Sequence, residues 1–288
     1  MDNNNPKVII VTGAGKGLGA AYAKYLSLKG YKIIVNNRIS SGQIDSAQKI
    51  ANEINKSGGS AISNQSDLRD PNAPDEIFDL AINTFGSIDC LINNAGISEG
   101  KTFHKASIEE LMTVVEVNLI ATMKLTHKIY KYMYEKGKGN IIFTTSAAGL
   151  YGQHGMPAYS SSKAGIIGLA NSLHLESFKK DIAVNIISPF AHTNMTKSFM
   201  NSKQAKKFAP EKILPIIDFI ILNNHISGNI FICGGGKFRL GKFYENDGLD
   251  FSSYEDFSYE ELETRQDNLF SMKELKSRKN ASESFEDL

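Results

Sequence analysis

Seven short apolar runs rich in Val and Ile, alternating with stretches whose apolar residues recur at helical spacing, constrain this chain more than any other feature. The runs are Lys7–Thr12, Lys32–Asn36, Ser60–Asn64, Ile88–Asn93, Asn140–Thr145, Ala183–Ser188 and Ile230–Cys233. Helical patterns lie between them at Leu18–Lys29, Ile44–Ser57, Ala73–Phe85, Ile108–Glu135 and Ala158–Lys179. Continuously apolar strands must be covered on both faces, which a parallel sheet achieves with a helix in every crossover. Right-handed crossovers then wind the helices onto both sides. The expectation is an α/β chain with one doubly wound (Rossmann) sheet of seven parallel strands. The apolar stripe Leu111, Val114, Val115, Leu119 and Met123 of the long fourth helix is expected in the core.

The pattern has no break before about residue 240, so residues 1–244 are expected as one dinucleotide-binding and catalytic domain and 245–288 as an acidic extension. The extension carries 13 acidic and 5 basic residues, or −8, leaving +9 on the body out of a net +1. A mildly basic body suits phosphate-bearing ligands and gives no sign of a nucleic-acid partner. The tail is polar enough for disorder. The aromatics after Gly241, namely Phe243, Tyr244, Phe251, Tyr254, Phe257 and Tyr259, argue instead for at least partial docking on the body or on a second subunit.

Cys90 and Cys233 each sit in an apolar run and are read as buried, unpaired strand residues of a reducing compartment. No metal-ligand cluster stands out, so no metal is expected. Met1–Pro6 is polar, without the apolar core of a signal peptide. Ile213–Leu222 is too short, and too interrupted by Pro215 and Asp218, to span a bilayer. A cytoplasmic protein without membrane insertion is expected.

After the first strand comes Thr12-Gly13-Ala14-Gly15-Lys16-Gly17-Leu18-Gly19. Glycines between a strand and a helix let backbone approach a pyrophosphate, and the helix N-terminus aims its free N–H groups at the same anion. A lone glycine-rich turn is weak evidence; the flanking strand and helix make it a dinucleotide signal. Binders of NAD usually carry an acidic residue near the end of the second strand, but Asn36-Asn37-Arg38 stands there. Without an acid to repel a 2′-phosphate, and with Arg38 able to pair one, NADP(H) is favoured. NAD(H) remains open if Asn37 bonds the ribose neutrally.

Tyr159 and Lys163 are four residues apart on one helix face. Tyr25/Lys29 and Tyr132/Lys136 share that spacing and read as surface pairs. What separates the third pair is Ser146, 13 residues upstream at the carboxyl end of a strand, where Tyr132 has Leu119 and Tyr25 has Thr12. Hydride exchange between a nicotinamide and a carbonyl carbon needs a proton at the oxygen. A tyrosine titrates near 10, and a neighbouring ammonium is expected to lower that value. Lys163 supplies the ammonium, and Ser146 is placed to hold the substrate oxygen near the phenol.

These residues resemble the short-chain dehydrogenase/reductase family over residues 7 to about 240. Thr12-Gly13, Gly17 and Gly19 match its cofactor turn, with Lys16 and Leu18 inside it; Asn93-Asn94-Ala95-Gly96 matches the signature after the fourth strand. The resemblance implies that Asn118, Ser146, Tyr159 and Lys163 are the catalytic set. It implies cofactor contacts from Gly13, Lys16, Gly17, Leu18, Gly19, Asn37, Arg38, Asp67, Leu68, Asn94, Ala95, Gly96, Tyr159, Lys163 and Thr193. It further implies that Asn118 bulges its helix and relays protons through a water, and that the enzyme is a homodimer or homotetramer. Within the family, Thr145–Gly152, Ala170-Asn171-Ser172-Leu173 and Gly234–Arg239 resemble the (3R)-3-hydroxyacyl-CoA dehydrogenase module of peroxisomal multifunctional enzyme type 2. The substrate implied is a 3-hydroxyacyl or 3-oxoacyl thioester. Two departures stand out: Asn37 replaces that module's Asp, and Phe190 replaces the family's usual glycine after the sixth-strand proline.

His154 and His192 lie on loops near the expected site, and the expected lid, Thr193–Pro210, carries Lys197, Lys203, Lys206 and Lys207. Those lysines suit coenzyme A phosphates or simply a solvated face. The alternative substrates are another ketone: an acyl carrier protein thioester, a steroid or a sugar. The alternative outside catalysis is an NAD(P)-binding sensor, which has no need of an aligned acid/base set.

Overall fold

The computed structural model describes residues 6–39, 45–251 and 258–285. Chain tracing gives β1 (Val8–Val11), α1 (Gly17–Leu28), β2 (Lys32–Asn36), α2 (Ser46–Lys56), β3 (Ser60–Asn64), α3 (Ala73–Phe85) and β4 (Cys90–Asn93). Then follow α4 (Ile108–Val115), α5 (Ala121–Lys136), β5 (Lys138–Thr144), α6 (Ala147–Tyr151), α7 (Pro157–Glu176) and β6 (Asp181–Phe190). The body ends with α8 (Ser202–Lys207), α9 (Leu214–Leu222), β7 (Ile230–Gly234) and β8 (Lys237–Gly241). Local chemistry sets many of the ends. Asp45 accepts from Gln48 N to start α2, and Ser107 with Glu110 forms a capping box for α4. Gly86 (φ 80°) and Gly137 (φ 77°) stop α3 and α5 in the left-handed region that favours glycine. Ile44, the expected first residue of the second helix, lies outside the described residues.

The strands form one sheet in the order β3-β2-β1-β4-β5-β6-β7-β8, and the pairs from β3 to β7 are all parallel. Alternate strand residues feed two cores. Ile9 and Val11 pack with Tyr22, Leu26 and the apolar α9, whereas Ile10 packs with Leu125, Ile129 and Ile166. The doubly wound α/β architecture is as expected, but the sheet has eight strands, not seven. Gly235 (φ 58°) and Gly236 (φ 79°) make a two-residue turn after β7, so β8 returns antiparallel along the edge. The Gly-Gly-Gly run at 234–236 was the signal, and the exposed, mixed-polarity β8 hid it.

The long fourth helix is also broken. Residues Glu116–Ile120 form a π turn between α4 and α5. A π turn inserts a residue and rotates everything after it relative to the α-helical stripe. Leu111 and Val114 are therefore buried as expected, Val115 and Leu119 partly so, and Met123 is swung to the surface at 42% exposure. No helix among the described residues is long and apolar enough to cross a membrane.

Tyr22 on α1 is fully buried, and its hydroxyl has no hydrogen-bond partner among the described residues. An unmade hydrogen bond in a core costs about 1–3 kcal/mol. Tyr22→Phe is therefore expected to stabilise the fold by about 1 kcal/mol, raising the melting midpoint by roughly 2–4 °C in calorimetry.

The chain divides into two compact units, Met1–Leu240 and Gly241–Leu288. In the second, β9 (Glu245–Asn246) pairs antiparallel with β10 (Leu275–Lys276), and α10 (Tyr259–Thr264) and α11 (Gln266–Leu269) lie between them in sequence. Asn246 Nδ2 donates to the carbonyls of Leu269 and Ser271, both at 2.7 Å. The Arg265 guanidinium stands 4.8 Å from the Phe251 ring centre. Phe243, Tyr244 and Tyr259 are exposed; Tyr254 and Phe257 lie outside the described residues.

Candidate active site

β1 pairs with β2 on one side and β4 on the other, so the crossovers on either side leave in opposite directions. A crevice opens there at the carboxyl ends of the strands. The glycine turn lies in it and is closely packed. A Cβ on Gly13 (φ 62°) would lie 2.8 Å from Ala95 Cα, and one on Gly19 would lie 2.4 Å from Gly13 O. Gly17 (φ 58°) faces Thr193, which the β6 loop brings across. Lys16 gives α1 no side-chain cap, and its first turn holds no acid, so its leading N–H groups stay open for an anion. Thr12 Oγ1 accepts from Asn94 N and Ala95 N, both at 3.0 Å, and Asn94 Nδ2 donates to Thr12 O at 2.9 Å. The glycine turn and the signature after β4 are thus one braced unit. These residues fit a dinucleotide pyrophosphate.

At the end of β2, Asn37 Nδ2 donates to Ser46 Oγ at 2.8 Å. A Cβ on Gly15 would lie 2.2 Å from that hydroxyl. Arg38 Nη1 lies 3.7 Å from Asp67, whose carboxylate also takes Arg69 at 2.6 Å. The Arg69 guanidinium holds the Asp67 carboxyl below its ordinary value. Arg38 therefore faces a carboxylate already, a competitor for any phosphate. Leu68 is buried under this corner.

Ser146 lies two residues past β5 and caps α6, accepting from Ala148 N at 3.2 Å. Tyr159 and Lys163 lie on α7, and Asn118 lies within the π turn. Asn118 Oδ1 accepts from Ile97 N at 2.8 Å, and its Nδ2 donates to Ile97 O at 2.9 Å and Ser162 Oγ at 3.1 Å. Lys163 Nζ donates to Thr144 O at 2.8 Å, and Thr145 Oγ1 donates to Lys163 O at 2.7 Å. Asn118, Tyr159 and Lys163 are thereby fixed around the end of β5.

The three Tyr/Lys pairs are alike in their own geometry, with Nζ 5.5, 5.6 and 5.9 Å from the ring centres of Tyr25, Tyr132 and Tyr159. Lys29 and Lys136 are exposed, whereas Lys163 is buried. Burial drags the Lys163 ammonium down to about 8. Burial also pushes the Tyr159 phenol above its ordinary value; the Ser146 hydroxyl, hydrogen-bonding to it, partly offsets this, and the Glu99 carboxylate adds to it. The phenol thus stands above its ordinary value rather than below it as expected: burial is the largest cause, and the Lys163 ammonium is turned to the Thr144 carbonyl.

Of the other expected residues, His154 is exposed, and His192 is half-buried with its N–H donated to Phe208 O at 2.7 Å. Lys197, Lys203, Lys206 and Lys207 are all exposed. Phe190 meets Phe208 edge-on at 4.8 Å between ring centres, so the residue replacing the family glycine packs against the expected lid. Sequence reasoning missed Thr144, Ile97 and Ser162, which act through backbone groups or a common side chain. It also missed Ser46 and Glu99, for which no motif exists.

The sequence pattern described as short chain dehydrogenase matches residues 7–206. The chain belongs to the short-chain dehydrogenase family, and so to the oxidoreductases. A mouse relative, peroxisomal multifunctional enzyme type 2, is 33% identical over 237 residues, covering 80% of this chain and 32% of the relative. A 3-oxoacyl-[acyl-carrier-protein] reductase of Synechocystis is 32% identical over 241 residues, covering 80% of this chain and 96% of the relative. The crystal structure of a short chain dehydrogenase from Mycobacterium avium superposes with a TM-score of 0.79 at 31% identity, over 92% of this chain and 94% of that one. The chain spans between 28% and 55% of the length of the peroxisomal enzymes it matches. As a short-chain dehydrogenase it shares a family with enzymes of fatty-acyl metabolism.

Proposed function

We propose that this short-chain dehydrogenase interconverts a secondary alcohol and a ketone on a 3-hydroxyacyl/3-oxoacyl thioester, with Tyr159 as general acid/base. The observation that carries the reading is the meeting of Asn118, Ser146, Tyr159 and a buried Lys163 beside the braced glycine turn. A bound nicotinamide supplies or accepts the hydride. Gly13, Lys16, Gly17, Leu18 and Gly19, with Thr193, Asn94, Ala95 and Gly96, would hold its pyrophosphate and nicotinamide half. Asn37, Arg38, Asp67 and Leu68 shape the adenosine end. Lys163 orients the nicotinamide ribose, Ser146 holds the substrate oxygen, Tyr159 gives or takes the proton at that oxygen, and Asn118 keeps the π turn in place. Arg38 and the lack of an acid at Asn37 favour NADP(H), with Asp67 limiting the margin over NAD(H).

The test is turnover of 3-oxoacyl-CoA esters, followed by nicotinamide absorbance with NADPH and NADH separately. Activity with either, faster with NADPH, is expected. Cofactor binding without turnover of any thioester would overturn the substrate and leave the fold. The acyl carrier protein relative supports a second thioester carrier, so the carrier-bound substrate is assayed alongside.

We further propose a cytoplasmic homodimer or homotetramer. Cys90 and Cys233 are buried and unpaired, which suits a reducing compartment. Ile108 and Met112, one turn apart on α4, are 63% and 55% exposed, an apolar strip on the surface of the folded chain. Met112→Lys is expected to shift the oligomer toward monomer in light scattering; an unchanged mass would count against this face.

A further inference from the structure

Helix α7, which carries Tyr159 and Lys163, begins without a cap of its own. Met156 at its N-cap makes no side-chain hydrogen bond, and Pro157 follows directly. The open N–H of Tyr159 is satisfied from outside the helix: both carboxylate oxygens of Glu99, 60 residues earlier in the chain, accept it, at 3.0 and 3.1 Å. Glu99 lies on the loop after β4, whose preceding residues fasten the rest of the site. Asn94 and Ala95 grip Thr12, and Ile97 grips Asn118 with both its backbone groups. Gly96 faces Asn118 and Lys163 so closely that a Cβ there would lie 3.2 Å from Asn118 Oδ1 and 3.4 Å from Lys163 Nζ. A single loop therefore ties together the glycine turn, the π turn and the start of α7. A carboxylate at a helix N-terminus is favoured by the helix dipole as well as by its hydrogen bonds.

We propose that Glu99 is a positioning residue for Tyr159: its carboxylate caps α7 from the loop after β4, fixes the phenol relative to Ser146 and Lys163, and presents it with a negative charge. The proposal rests on the acid/base role of Tyr159 given above. The groups facing the phenol are Ser146 from the end of β5, Lys163 on α7 and Glu99 from the β4 loop; Leu111, Val114 and Val115 from α4, with Ile97 and Ala106, pack around it as apolar neighbours. Burial is the main reason the phenol titrates above its ordinary value, and the Glu99 charge, held at the backbone N–H of the same residue, adds to it because a nearby negative charge disfavours the phenolate.

Two variants separate charge from capping. Glu99→Gln keeps an oxygen for the Tyr159 N–H and removes the charge; Glu99→Ala removes both. Titration of Tyr159 is followed by carbon NMR of ring-labelled tyrosine, with Tyr159→Phe identifying its signal. Glu99→Gln is expected to titrate at lower pH than the wild type while melting close to it. Glu99→Ala is expected to lower kcat about tenfold through misplacement of the phenol, with cofactor affinity unchanged. A Glu99→Gln titration that coincides with the wild type overturns the proposal, as does a Glu99→Ala enzyme with wild-type kcat. If Glu99→Ala fails to fold, the Glu99→Gln titration decides alone. The titration needs no turnover, so a wild type inactive on every thioester would refute the proposed reaction while still testing Glu99.

Discussion

Tyr159→Phe is expected to lower turnover by roughly 10²–10⁴, the usual contribution of a positioned general acid/base, while leaving cofactor affinity unchanged. The substitution removes one oxygen from a ring that the surroundings already hold. Glu99 grips the Tyr159 backbone rather than its hydroxyl, and the ring packs beside Leu111, Val114 and Ala158. Nothing in the glycine turn depends on the phenol, so binding of reduced nicotinamide, read by its fluorescence, should be that of the wild type. The raised phenol fixes the pH behaviour. Ketone reduction needs the protonated form, which persists across the neutral range and is lost only as pH rises through the elevated value. Alcohol oxidation needs the phenolate, so its rate should climb with pH and be poor near neutrality. Residual turnover within tenfold of the wild type would remove Tyr159 from the mechanism and leave another group to handle the proton.

The architecture was legible because its strongest determinants are periodic. Ile9 and Val11 serve one core and Ile10 the other, and a run apolar at every position has no other use in a domain this size. Non-periodic features escaped. β8 is five residues long and exposed, with only Phe238 and Leu240 on its apolar face, so the glycines before it are the plainer sign of a turn. The π turn is invisible to a count based on α-helical spacing, and the error it causes falls just past it, at Met123. The site divides in the same way. Ser146, Tyr159 and Lys163 are legible together because their spacing puts a strand end and a helix face within reach. The pH behaviour is not, because it depends on burial: Lys163 acquires its environment from Thr144 and from the closeness of Gly96 and Gly149, and the motifs that hold those glycines do not record what they pack against. Glu99 is 60 residues from its partner and bonds a backbone N–H, so no side-chain pattern marks it.

Replacing Lys163 should separate stability from activity more sharply than any other change. Lys163 is 4% exposed, and its buried ammonium donates to a backbone partner, Thr144 O, at 2.8 Å. Depression from 10.5 to about 8 means that the folded chain holds this proton less tightly than the unfolded one. Below about pH 8 both states are protonated and the penalty is complete, on the order of 3 kcal/mol. As pH rises from about 8 toward 10.5 the folded chain releases the proton first, so the wild type gains stability from this group over that window. Lys163→Met fills similar volume without a charge and gives up only the bond to Thr144, worth about 1.5–3 kcal/mol. The variant should therefore match or exceed the wild type by up to about 1 kcal/mol in urea melts near pH 7 and fall below it near pH 10, where a neutral amine still bonds Thr144 and methionine does not. Turnover should meanwhile drop by roughly 10²–10⁴, because no group remains to hold the ribose and supply positive charge beside Tyr159. A Lys163→Met protein much less stable than the wild type at neutral pH would mean that the ammonium is a structural tie rather than a group kept at this position for chemistry.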